Sequence, residues 1–123
     1  METNSKKILA ALPDFEDYMK LAEEIKRLSH AKMMCEKDIK EMESRAFQRV
    51  MNEPAYFVNN KAISVSYFEN AYKHAGINRE IIPFREELAQ LTSELDAKKS
   101  QFEIYRMMQD MYRALAYQEK SMS

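Results

Sequence analysis

Catalysis needs an acid, base, nucleophile or metal ligand held in a concave site, and few residues of this chain qualify. There are two histidines, His30 and His74, and one cysteine, Cys35. His74 ends a short stretch of helical spacing. There an imidazole suits the negative end of the helix dipole and reads as a capping residue rather than a general base. Cys35 falls on an apolar heptad position, with no histidine one turn away and no CxxC, so it reads as a small packed hydrophobe. Carboxylates come in close pairs, Glu23 with Glu24, Glu41 with Glu43 and Glu86 with Glu87, but such neighbours on a helix point in different directions. No Glu-x-x-His pair offers the ligands of a di-metal helical site. The expectation is a protein that is not an enzyme, with no metal and no cofactor.

The elements that would carry these residues follow from composition and periodicity. The chain has 123 residues, 19 Lys+Arg against 20 Asp+Glu and a formal charge of −1, which suits a single domain with much solvated surface. One glycine excludes glycine-rich phosphate loops. One cysteine excludes an internal disulfide framework and suits a reducing compartment. The opening METNSKKILAALPDF has no secretory apolar region and no run approaches a membrane span. A cytoplasmic protein with no membrane partner is expected.

The predicted fold is all-α, an antiparallel hairpin of two long coiled-coil-like helices with a short connecting helix, assembled as a homo-oligomer. The first long helix is predicted over about 14–51, from Tyr18, Leu21, Ile25, Leu28, Lys32, Cys35, Ile39, Met42, Ala46 and Arg49 at alternating spacings of three and four. Pro13 suits its first turn, with Asp14, Glu16 and Asp17 against the helix dipole. The second is predicted over about 79–120, from Ile81, Phe84, Leu88, Leu91, Leu95, Lys98, Phe102, Tyr105, Gln109, Tyr112 and Ala116, with Asn78 as N-cap. The connector, 52–66, reads as an ordered loop or as a β-hairpin turning at Asn59-Asn60. Ser66 with Glu69 makes a capping box, and Gly76 a stop, for a short helix over about 67–75. Met1–Lys7 and Ser121–Ser123 are expected to be disordered tails.

Two patterns exceed a plain hairpin. Ile104, Met108, Met111 and Leu115 form a second apolar stripe beside the seam residues Phe102 and Tyr112. A helix apolar on two faces must pack on a further body, and self-association is the expectation. Lys99, Arg106, Arg113 and Lys120 recur every seven residues, where they either flank the seam in salt bridges with Glu36 and Glu43 or face an anionic partner. A second basic group, Lys37, Lys40, Arg45 and Arg49, gathers toward the end of the first helix, beside Phe47, Tyr56 and Phe57. Arginines with aromatic platforms suit single-stranded nucleic acid, where bases stack and phosphates pair. The same rings would otherwise pack the connector onto the helices.

Three stretches resemble the UvsY-type recombination mediators of tailed phages. They are Leu12-Pro13-Asp14-Phe15 with Tyr18, the Lys- and Glu-rich run from Lys26 to Met51, and Leu91 to Tyr117 with Gln101-Phe102-Glu103-Ile104-Tyr105. The resemblance implies a non-enzymatic ring of six or seven copies that binds single-stranded DNA. It also implies contacts with a recombinase, which the ring helps to load, and with single-strand-binding protein. The family's basic residues at the end of the first long helix correspond here to Arg45 and Arg49, with Lys40 a turn earlier. The chain departs from the family in the wider spacing of those arginines and in the extra short helix. The alternatives are a coiled-coil structural or assembly adaptor, or a prefoldin-like chaperone if Tyr56 to Val65 is a β-hairpin, with no nucleic-acid role in either.

Overall fold

A computed structural model describes residues 3–54, 57, 59, 61 and 79–122. Among these the fold is all-α, with three helices: α1 (Asn4–Ala11), α2 (Phe15–Asn52) and α3 (Ile82–Met122). The predicted short helix at 67–75, its Gly76 stop, the proposed N-cap Asn78 and most of the connector lie outside the described residues. Asn59 does fall within them and takes a left-handed backbone, φ 54°, a conformation asparagine tolerates and turns require.

The starts of the helices follow local chemistry. Asp14, not Pro13, opens α2: its Oδ1 accepts the Asp17 N–H at 2.9 Å, an N-cap bond, and Pro13 stands just outside. α3 starts three residues later than predicted. Pro83 therefore falls at its second residue, where a missing N–H removes no intrahelical bond. The expected N-terminal tail is in part a helix. Thr3 caps α1 by accepting the Lys6 N–H on its side chain at 3.3 Å.

The chain divides into two compact units. The first comprises Met1–Ser29 and Ser93–Ser123. Its buried apolar side chains are Leu21, Leu28 and Leu95. Tyr18 meets Phe102 and Tyr105 edge-on, with ring centroids 6.3 and 5.9 Å apart. Lys98 lies close enough to Glu24, and Glu94 to Arg27, to interact electrostatically. Numbers rising along α2 meet numbers falling along α3, so within this unit the two helices run antiparallel.

The second unit is His30–Thr92. Cys35, Ile39 and Ile81 form its core, with Met42, Phe84, Leu88 and Leu91 packed around them. The Cys35 thiol donates to the Phe84 carbonyl at 3.3 Å, and Arg85 pairs with Glu43 at 2.9 Å. Every predicted seam residue from Tyr18 to Ala46, and from Ile81 to Ala116, is buried or half-buried. The exception is Arg49, which is exposed, while Val50 is fully buried. Val50 lies eleven residues after Ile39, or three turns at about 3.67 residues per turn. That is close to the natural period of a straight α-helix, whereas a heptad falls short of two turns and drifts.

Glu36 and Glu43, expected to pair with the row Lys99, Arg106, Arg113 and Lys120, hold ion-pair partners within the second unit, and Arg106 holds one on its own helix. Glu43 takes Arg85 at 2.9 Å, Glu36 takes Lys32 at 4.0 Å, and Arg106 takes Glu103 at 3.6 Å. Within the first unit Lys98 is level with Glu24, so Lys99 and Arg106 fall along the start of α2.

Candidate functional site

The basic residues at the end of α2 are all exposed but do not share a face. Arg45 and Arg49, one turn apart, lie about 40° apart around the helix, whereas Lys40 and Arg45 are separated by about 140°. The second unit thus brings Arg45 and Arg49 together and sends Lys40, with Lys37, to other sides of α2. The two arginines line a groove of about 220 Å³ with Met42, Ala46, Glu80 and Ile81. The sequence offered no signal that Glu80 would be its acidic wall, because the turn before α3 delivers it there from a distance in sequence. Arg49 also reaches Glu53 at 3.8 Å. Tyr56 lies outside the described residues, and the neighbouring rings of Phe47 and Phe57 are half-buried.

The expected oligomer residues separate into two sets. Phe102 and Tyr112 lie on the inner seam, and Phe102 is already engaged by Tyr18. Met108 and Leu115 are half-buried, while Ile104 and Met111 are 55% and 54% exposed. Met107, which the sequence reading passed over, is 67% exposed. It completes an outer repeat, Ala97, Ser100, Ile104, Met107, Met111 and Ala114, again alternating four and three and exposed throughout. α3 therefore carries two seams, one used within the unit and one facing outward. On the same unit an open groove of about 460 Å³ is lined by Ala22, Ile25, Lys99, Phe102 and Glu103.

No described group combines the features of a catalytic residue. Burial, and then the charges of Glu87, Asp38 and Glu36, push the Cys35 thiol above its ordinary range, the opposite of an activated nucleophile. Glu24 and Glu119 are held below the usual carboxylate range, Glu24 chiefly by its hydrogen bonds from Arg27 and Glu119 chiefly by those from Ser5. Both therefore act as ion-pair and capping groups. His30 is exposed on α2, and His74 lies outside the described residues. Among the described residues no three His, Cys, Asp or Glu side chains gather as metal ligands, and no helix is long and apolar enough to cross a membrane. Compared with known proteins, the chain matches no family model, no curated protein and no solved structure.

Proposed function

We propose that the protein is a non-enzymatic accessory of the recombination-mediator kind. Its copies associate through the outer face of α3, bind single-stranded DNA along the Arg45–Arg49 groove and help load a recombinase. The observation that carries this reading is the outer seam: Ile104, Met107 and Met111 are each more than half exposed, in a unit whose enclosed apolar side chains are Leu21, Leu28 and Leu95. Apolar residues at heptad spacing on an open helix face gain most by packing on another helix.

Assembly also bears on the DNA reading. A chain of net charge −1 with two arginines in one groove binds a phosphate backbone weakly and in a salt-sensitive way. Repeating that groove around an oligomer raises the effective concentration of the later contacts without strengthening any one of them. The recombinase and single-strand-binding protein enter as partners by the resemblance alone.

A second reading, an assembly adaptor with no nucleic-acid role, is favoured by the acids at the groove. Glu80 lines it and Glu53 holds Arg49, and both compete with phosphate. Anisotropy of a labelled oligonucleotide separates the two. The mediator reading expects binding at about 50 mM salt that weakens steeply by 200 mM, and loss of most of it in Arg45→Ala/Arg49→Ala. No binding at low salt selects the adaptor.

A further inference from the structure

We infer that the groove lined by Ala22, Ile25 and Phe102 seats the outer face of α3 from a second copy, so that each chain offers different surfaces to its two neighbours. The inference rests on the self-association proposed above and names the surface that receives the outer face. Groove and outer face both belong to the first unit. Ala22 is the last of three exposed apolar residues, after Phe15 and Met19, that fall within about 60° of one another around α2. Phe15 is 77% exposed and Met19 46%, so the groove has an apolar approach two turns long. On α3, Phe102 lies about 160° around the helix from Ile104, which puts the groove and the outer face on different sides. Packing outer face on outer face leaves the groove and its approach open to water. Packing outer face in groove covers both, as a heterologous contact does.

Charge selects between the two arrangements. The outer face has an acidic border on one side: Asp96, Glu103 and Asp110 are exposed and lie within about 60° of Met107 around α3. Its other border, Gln101, Met108 and Leu115, carries no charge. With two outer faces antiparallel and Ile104 opposite Met107, Glu103 meets Asp110 of the other copy, a like-charge pair. With them parallel, the same acids meet Met108 and Leu115, and no base answers them. The groove does offer bases. Lys99 lines it, Arg106 follows on the same row of α3, and Lys26 stands one turn beyond Ala22 on α2, all exposed. Glu103 also lines the groove, and it is held by Arg106 at 3.6 Å. An apolar stripe bordered by acids thus matches an apolar groove bordered chiefly by bases.

The test is sedimentation velocity of full-length chains at about 100 µM, with helicity checked by circular dichroism. Met107→Lys/Met111→Lys disables the outer face alone, and Met19→Glu/Ala22→Glu the groove alone; all four positions are exposed. Each variant by itself is expected to sediment as a single chain. Their equimolar mixture restores one contact, between the intact groove of one and the intact outer face of the other, and gives a particle with one copy of each. Lys99→Glu reverses the groove border and leaves both apolar surfaces in place. It should weaken assembly about fivefold at about 50 mM salt, a difference that closes near 1 M. A groove variant that assembles like an oligomeric wild type, or a mixture that stays monomeric, overturns the groove and leaves self-association standing. Lys99→Glu without effect at low salt overturns the charge match that selects the groove. A wild type that is itself a single chain overturns both the groove and the self-association on which it rests.

Discussion

Cys35 shows how a heptad position decides a residue's chemistry. The seam encloses the side chain to 6% exposure and ties its thiol to a backbone carbonyl, and burial disfavours the thiolate. At pH 8 a thiol-specific reagent should label the native protein at least about tenfold more slowly than the urea-unfolded chain; equal rates would place Cys35 outside the core. This role was legible from spacing alone. The state of Tyr18 was not, because it depends on what lies across the seam. Its ring packs on Phe102 and Tyr105, yet its hydroxyl is enclosed with no hydrogen-bond partner among the described residues. An unsatisfied buried hydroxyl costs about 1 kcal/mol or more. Tyr18→Phe should therefore leave stability unchanged or raise it by about 1 kcal/mol in urea unfolding, and a loss of that size would mean the hydroxyl is bonded.

The two long helices were readable because each seam repeats over many turns, and a repeat of that length outweighs local exceptions such as Lys32 and Lys98. The reading failed where the repeat itself changed, at Arg49 and Val50, since a strict heptad cannot follow a straight helix indefinitely. Val50→Ala should cost about 2 kcal/mol in chemical unfolding, while Arg49→Ala stays within about 0.5 kcal/mol. The reverse order would restore the heptad register. α1 escaped the sequence reading for a different reason: the carboxylate that supports it comes from the far end of the chain. The sign of the pH effect follows. Glu119 is held below its ordinary value of 4.5 in the folded state, chiefly by the Ser5 hydroxyl. Its contribution is present above that ordinary value and is lost as pH falls through the lower folded value. Amide exchange over residues 4–12, corrected for its intrinsic pH dependence, should show protection fading as pH drops below 4.5 while the Leu28 region keeps its own. Protection that persists in acid would remove Glu119 from the account of α1.

For the molecule as a whole, charge and apolar surface have separate roles. The near-neutral composition conceals a local pairing of Arg45 with Arg49, while the basic row on α3 is interleaved with Asp96, Glu103 and Asp110. Sequence grouped Lys37, Lys40, Arg45 and Arg49 by proximity along the chain, and a helix disperses residues that a list keeps together. The apolar outer face of α3 was legible in part: Ile104 and Met111 were found, and Met107 was missed because the stripe was traced through Met108, which faces partly inward. Self-association through that face is the central claim. It is tested most directly by sedimentation velocity of the wild type beside Met107→Lys/Met111→Lys. The account predicts a wild-type particle several times the 14.6 kDa chain mass, and a fully helical variant that sediments as the single chain. A wild type that remains a single chain at about 100 µM, ample for any interface of micromolar affinity, or a variant with undiminished mass, would contradict it.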